Sequence, residues 1–210
     1  LADCARQSMA LTLARAASAT EMSAIAVLME ELERAGVVDR AVEALPTPDE
    51  MVARTEAGAG LTRPELAVLL AGAKRDLAAR LLASGVPDQP ALRATLLAYF
   101  PPALRTRLEH LVDTHRLRRE LVASAMANDV VNRMGVTFVS RVGADTGASA
   151  PDVAAAYWIA RGVLSSPERW REIEGEEGHP PTERLLAASP VIVDLLEALT
   201  RDYLRREEMG

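Results

Sequence analysis

The sequence predicts an all-α fold, a bundle of roughly eight to ten helices with no sheet. Of the 210 residues, 38 are Ala and 28 are Leu, whereas Phe, Trp and Tyr together contribute 3%. Ala, Leu, Arg and Glu favour helices, while strands draw on β-branched and aromatic residues. Helix-capping pairs recur along the chain, with apolar residues at helical spacing between them. This composition excludes most β architectures.

In the first half of the chain, helices are predicted to start where a hydroxyl residue precedes Glu by three positions. The two side chains of such a pair can cap each other's backbone amides. The pairs are Ser18 with Glu21, Thr47 with Glu50, and Thr62 with Glu65. The helices are predicted to end at about Ala35, where Gly36 can take a left-handed closing conformation, near Gly58, and just before Gly85. The third helix has an apolar face made of Leu66, Leu69, Leu70, Ala73, Leu77 and Leu81.

The longest periodic stretch runs from about Leu104 to Gly135 and predicts one helix, roughly 40 Å long, that forms the spine of the fold. Shorter helices are predicted on either side of it. They start at Asp88 and Pro90, near Phe138, at Ser149 with Asp152, and at Ser166. Tyr157 and Trp158 are interpreted as core or interface anchors, because the chain has few aromatic residues.

The end of the chain differs in charge from the rest. Residues 166–210 contain eleven acidic residues and six arginines, which gives −5 of the total formal charge of −6. Residues 175–181 are polar, acidic and rich in Gly and Pro, and therefore predict a linker. The predicted linker divides a helical domain, 1–174, from a helical tail, 182–210. Within the tail, Pro190 is predicted to separate a short helix from the last one.

Composition and motifs exclude several functional classes. No apolar run reaches the roughly 18 residues that a membrane span needs, and no basic segment followed by an apolar stretch opens the sequence, so no signal peptide is expected in it. The single cysteine, Cys4, has no partner for a bridge, and we expect a cytoplasmic protein. The negative charge weighs against nucleic acid as a partner. Glycine-rich nucleotide loops after a strand, nucleophile elbows and metal motifs are absent, so no catalytic, cofactor-binding or metal residue is predicted.

His115 is one candidate functional residue, because it falls on the apolar face of the predicted long helix. It is interpreted mainly as a core-edge histidine that bonds a neighbouring helix. The alternative is a proton-transfer role, in a lyase or isomerase that uses His115 with Asp113 or Glu120.

Basic and amide residues on the same stretch form a second group of candidates. Arg116, Arg118 and Arg119 are interleaved with acids, which favours local ion pairs, although an anion or nucleic acid could also bind there. Asn128 and Asn132 lie four apart among small residues, where another helix can approach closely. They are interpreted as structural amides at a helix crossing, with ligand binding as the alternative.

Several blocks resemble the large bacterial NAD-specific glutamate dehydrogenases. Residues 61–71 read LTRPELAVLLA and are followed by Lys74. Residues 115–120 read HRLRRE, and 131–133 read VNR. Between and after them lie Pro87-Asp88, Tyr99-Phe100-Pro101 and residues 146–149, TGAS. In order and spacing, these blocks cover residues 28–174. Gly72 departs from the pattern, because an aromatic residue is usual there.

The resemblance implies the C-terminal helical region of a long multidomain enzyme that oxidatively deaminates L-glutamate to 2-oxoglutarate and ammonium with NAD. The glutamate site and the NAD-binding domain would lie upstream as partners in the same chain, with a homo-oligomer as the assembled form. The chain itself would bind no cofactor and would support domain packing, oligomer assembly or regulation. The candidate interface residues are Arg63, Glu65, Lys74, His115, Arg116, Arg118, Arg119, Asn128, Asn132 and Arg133. The alternative is an independent helical adaptor that binds nucleic acid or a peptide.

Overall fold

The computed structural model describes residues 2–174 and 182–208, and within them it contains α-helices and three short 3₁₀ turns but no strand. This confirms the all-α prediction. The helices are α1 (Ala2–Ser18), α2 (Met22–Arg34), α3 (Pro48–Glu56), α4 (Arg63–Ala83), α5 (Arg93–Tyr99), α6 (Pro102–Leu108), α7 (Arg118–Met134), α8 (Phe138–Thr146), α9 (Ala150–Val163), α10 (Ser166–Glu174) and α11 (Thr182–Glu208).

Of the three capping pairs predicted in the first half of the chain, two start helices as expected. At α3, the Thr47 hydroxyl accepts a hydrogen bond from the Glu50 amide, and Glu50 accepts one from the Thr47 amide at 2.8 Å. At α4, the Thr62 amide donates to Glu65 Oε2 at 2.6 Å. Pro is one of the first two residues of both helices, where its missing N–H is harmless.

The core lies where α4 and α7 pack together, with α1, α5 and α9 around them. The predicted leucine face of α4 is buried, and α7 contributes the buried residues Val122, Met126 and Val130. Phe138 and Tyr157 meet edge to face beside them, with ring centroids 6.0 Å apart. The last helix, α11, packs on α9 and α10 and adds Leu185, Ile192, Leu196 and Leu204 to the same core.

The predicted helix start at Ser18 is wrong. Ser18 is the last residue of α1, a helix that the sequence analysis did not predict, and its hydroxyl donates to the Arg15 carbonyl. The helix α2 begins after Glu21, whose carboxylate accepts a hydrogen bond from the Thr137 hydroxyl at 2.8 Å. Glu21 therefore joins α2 to the start of α8 instead of completing a capping pair.

The predicted single spine helix is also wrong, because α6 and α7 are separate. Between them, residues 109–117 form turns and a short 3₁₀ segment, Val112–Thr114. Arg93 stabilises this break from α5, since it donates to the Glu109 carbonyl at 3.0 Å and to the Asp113 carboxylate. The spine is α7 alone.

Pro190 does not divide the tail, because α11 runs through it from Thr182 to Glu208. The predicted linker, 175–181, lies outside the described residues. Among the described residues, no single helix is long and apolar enough to cross a membrane, although Gln7–Ser18 and Met22–Arg34 together pass that test as a pair bent by 120°.

Gly72 marks a close approach of α4 to the segment after α2. A Cβ atom there would lie 2.8 Å from Val38 Cγ2 and 3.3 Å from Leu32 Cδ1. An aromatic side chain has no room at this position, so the departure from the family pattern fits the packing of this chain.

Candidate functional site

An open groove of about 900 Å³ lies between α5, α7 and α9, and Gln7 of α1 forms part of its wall. It brings together three residues that the sequence singled out, namely Asn128, Asn132 and Arg133. All three lie on α7. From across the groove, α9 contributes Trp158 and Arg161.

Asp129 is the centre of a polar cluster at this groove. It accepts a hydrogen bond from the Tyr157 hydroxyl at 2.9 Å and forms an ion pair with Arg161 at 3.0 Å. Tyr157 is completely buried, and burial, followed by the nearby Asp129 charge, raises its pKa well above the usual 10.0. The phenol therefore stays neutral and acts as a fixed hydrogen-bond donor that holds the carboxylate in place.

Both arginines at the groove lie against indole rings. The Arg161 guanidinium is 4.3 Å from the centroid of Trp158, and that of Arg133 is 4.5 Å from the centroid of Trp170 on α10. Such cation–π contacts hold the planar guanidinium in one orientation. The arrangement gives the groove two fixed cations and one fixed carboxylate.

The two asparagines differ in their surroundings. Asn128 is exposed, whereas Oδ1 of Asn132 is buried and accepts no hydrogen bond within the described part of the protein. Among the described residues, neither amide makes a hydrogen bond across a helix crossing, and the structural role of both residues stays a prediction. Asn132 instead offers an unused acceptor at the groove.

The arginines at the start of α7 are mostly engaged within the fold. Arg118 and Arg119 both bind the carboxylate of Asp88, and Arg119 also donates to the Leu82 and Ser84 carbonyls at 2.7 and 2.9 Å. These bonds cap the end of α4 and tie it to α7. Arg116 is exposed and has no partner among the described residues.

The candidates on α4 have three different environments. Glu65 forms two hydrogen bonds with Arg54 of α3, at 2.8 and 3.0 Å. Burial raises the pKa of Glu65, but the bonds from Arg54 and Thr62 lower it by more, so the net shift is downward. Lys74 is half-buried, and burial lowers the pKa of its amine. Arg63 is exposed, and neither it nor Lys74 has a partner within the part of the chain that the structure describes.

His115 does not lie on a helix; it ends the short 3₁₀ segment before α7. Its Nδ1 atom accepts a hydrogen bond from the Leu117 amide at 3.2 Å. Its ring packs edge to face against that of Phe100, with the ring centroids 5.8 Å apart. Asp113, its proposed partner for proton transfer, is bound by Arg93. These contacts give His115 a role in shaping the turn.

A second crevice of about 550 Å³ lies between α2, α4 and α8 and is lined mainly by small and apolar side chains. The carboxylates at its edge are engaged, Glu31 by the Ser140 hydroxyl and Asp76 by Arg80. Within residues 2–174 and 182–208, no three His, Cys, Asp or Glu side chains come together in a way that could hold a metal ion. The groove beside α7 is therefore the better candidate site, and its chemistry is recognition by charge and hydrogen bonds.

Asp129 and Arg161 were not predicted from the sequence as parts of this site. One local signal was available, because Trp158 and Arg161 are three residues apart on one helix and can stack. The pairing of Asp129 with Tyr157, by contrast, joins two helices and leaves no local pattern in the sequence.

Comparison with known proteins places the chain in a family. Residues 58–209 match the family model described as glutamate dehydrogenase, C-terminal. Proteins named NAD-specific glutamate dehydrogenase are similar to nearly the whole chain: that of Halomonas elongata is 39% identical over 98% of it, and that of Pseudomonas aeruginosa 40% identical over 95%. The Mycobacterium tuberculosis protein of the same name is 36% identical over 82% of the chain. The chain spans only 11–13% of the length of these relatives.

Proposed function

Because this chain belongs to the glutamate dehydrogenase C-terminal family, we propose that it is a noncatalytic domain of an NAD-dependent glutamate dehydrogenase. One observation carries the proposal. Nearly the whole chain matches the relatives, yet it accounts for no more than 13% of their length. The larger part of the whole protein is thus available to hold the glutamate and NAD sites.

In this proposal, the whole protein converts L-glutamate, NAD and water to 2-oxoglutarate, ammonium and NADH in the cytoplasm. The upstream domains bind NAD, and this domain binds none. It packs against them and supports the assembly or regulation of a homo-oligomer. Residues 175–181 would connect the domain, 1–174, to the tail, 182–210.

The distribution of charged contacts supports an indirect role. Glu65, Arg118 and Arg119 are used inside the fold, where they connect α3 to α4 and α4 to α7. Arg63 and Arg116 remain exposed without partners among the described residues and are our candidates for contacts with the rest of the protein.

The test compares three purified proteins, namely the whole protein, the whole protein without this domain, and the 210-residue chain. We expect NADH formation from glutamate only with the whole protein, and altered sedimentation when the domain is removed. NAD reduction by the 210-residue chain would overturn the proposal. So would a truncated protein with unchanged turnover and unchanged sedimentation.

The same chain can be tested as an independent adaptor. Binding to nucleic acid would weaken steeply as salt is raised, because bound phosphates release counterions. We expect a weak and flat response in DNA anisotropy titrations at two salt concentrations. Arg118 and Arg119 already bind Asp88 and main-chain carbonyls, which leaves them poorly placed for phosphate.

A further inference from the structure

The segment from Tyr99 to Leu117, here called the α6 projection, lies at the surface of the described fold. Every residue from 101 to 111 whose side chain the structure describes is exposed. Twelve large apolar side chains are exposed among the described residues, and four of them belong to the projection, namely Tyr99, Leu104, Leu111 and Leu117. Because exposed apolar surface concentrated in one place is typical of an interaction site, the projection is a candidate docking surface.

Arginine side chains fix the main chain of the α6 projection. Arg105 donates to the Phe100 carbonyl at 2.9 Å, and Arg93 of α5 donates to the Glu109 carbonyl at 3.0 Å. The two ends of the projection meet where the rings of Phe100 and His115 pack together. The exposed apolar side chains therefore lie on a preformed surface, which loses little conformational entropy when a partner docks.

The charges of the α6 projection indicate the chemistry of its partner. Both of its acids, Glu109 and Asp113, form ion pairs with Arg93. Arg107 and Arg116 are exposed, and neither has a partner in the part of the chain that the structure describes. The unpaired side chains of the projection are thus apolar or positive, and an apolar surface that carries carboxylates would complement them.

We propose that the α6 projection docks on the upstream part of the same polypeptide, at an apolar surface that carries carboxylates. This inference rests on the proposed function. The chain covers 12–13% of the first two relatives, so most of the polypeptide lies outside it. A surface that the chain itself joins to the projection meets it at a high effective concentration, which favours this surface over a second copy.

Cysteine labelling of the whole protein tests whether the α6 projection is covered. Leu104→Cys and Leu111→Cys place thiols on it, and Val52→Cys on α3 is the matched control, since these side chains are 41%, 50% and 59% exposed. The rate of maleimide labelling is measured on the corresponding peptide by mass spectrometry. Each rate is divided by the rate for the same thiol in the urea-unfolded protein.

We expect both thiols of the projection to react at least about tenfold more slowly than the control, which corresponds to about 1.4 kcal/mol of docking. Equal rates at all three positions would overturn the inference.

Photo-crosslinking of the whole protein identifies what covers the projection. Benzoylphenylalanine replaces Leu104 or Leu111, and the crosslinked peptides are identified by mass spectrometry. We expect a product with the mass of one polypeptide, in which the projection is joined to a segment upstream of this domain. A product with the mass of two polypeptides would assign the projection to a second copy. That product, or no product at all, would overturn the inference.

Charge reversal tests the carboxylates of the partner surface. In the whole protein, Arg107→Glu with Arg116→Glu should make the Leu111→Cys thiol react about threefold faster or more, because two ion pairs are lost. Arg34→Glu is the matched control, since Arg34 is also an exposed arginine, and it should leave the labelling rate unchanged. Unchanged protection in the double variant would overturn the inference.

These outcomes are separate from those for the proposed function. If the whole protein needs this domain for turnover and the thiols of the projection react as fast as the control, only the docking inference fails. If the 210-residue chain reduces NAD by itself, the proposed function fails whatever the labelling rates are.

Discussion

Glu65 performs two tasks with one carboxylate, since it caps α4 through the Thr62 amide and binds Arg54 of α3. Glu65→Gln keeps a side chain that can cap the helix but removes the charge that Arg54 binds. We expect the free energy of unfolding to fall by about 1–2 kcal/mol at pH 7, which urea unfolding measures. Glu50→Gln is the matched control, because Glu50 caps α3 in the same way and makes no ion pair with Arg54.

The effect of Glu65 should depend on pH in a defined direction. Its pKa in the folded protein lies below the ordinary 4.5, so the carboxylate stabilises the fold above that value, and this contribution is lost as the pH falls through the lowered pKa. The two proteins should therefore converge in stability well below pH 4.5. A difference that persists unchanged in acid would contradict the ion pair as its cause.

The charged form of Lys74 should lower the free energy of unfolding, whereas the charged form of Glu65 raises it. Burial lowers the pKa of its amine, so the folded protein binds this proton less strongly than the unfolded chain does. The charged lysine therefore destabilises the fold, and the penalty disappears as the pH rises through the lowered pKa towards 10.5. We expect Lys74→Met to be more stable than the parent at pH 7, by up to about 1 kcal/mol, with a smaller difference at pH 10 in urea unfolding. If the fold needed the charge, the substitution would instead lower stability at pH 7.

At the scale of helices, the sequence predicted the elements whose signals are local. The caps of α3, α4 and α9 use residues three apart, so Thr47, Thr62 and Ser149 identify these starts correctly. The break before α7 could not be read in this way, because Arg93, on another helix, binds the Glu109 carbonyl. Ser18 misled the prediction for the same reason, since Glu21 bonds to Thr137 on a distant segment.

In the candidate site too, the sequence predicted residues with a local pattern but not the contacts between helices. Asn128 and Asn132 were identified because they lie four apart on one helix among small residues, and Arg133 because it belongs to a block that resembles the family. Asp129 could not be identified in this way, because its two contacts are with Tyr157 and Arg161, which both lie on α9. Periodicity within one helix says which face is buried, but it does not say which helix will cover that face.

Pro190 allows a direct test of how a proline inside α11 affects the free energy of unfolding. It lies inside α11 and is exposed, so it removes a main-chain hydrogen bond without adding core contacts. We expect Pro190→Ala to raise the free energy of unfolding by about 1–3 kcal/mol in urea unfolding. Ala198→Pro, at an exposed position of the same helix, should lower it by about 3 kcal/mol. A loss of stability with Pro190→Ala would show that Pro190 is required for the packing of α11.

At the scale of the whole molecule, α11 completes the core and is not an appendage. It packs on α9 and adds Leu185, Ile192, Leu196 and Leu204 to the common core. Arg141 and Arg201 bind Glu197 of the same helix. Burial of one such apolar side chain contributes about 1.5–3 kcal/mol, so the four together are comparable with the about 5–15 kcal/mol that stabilises a typical domain.

This comparison leads to a prediction for truncated chains. A chain that ends at residue 181 loses all four side chains and exposes the buried face of α9, so we expect it to lose cooperative unfolding. A chain that ends at residue 208 keeps α11 and should unfold like the full sequence. Circular dichroism during urea unfolding distinguishes the two, because only the longer chain should show a sharp transition. If the shorter chain unfolded as sharply and at the same urea concentration, α11 would contribute little, and residues 182–208 would be free to act as a separate docking segment.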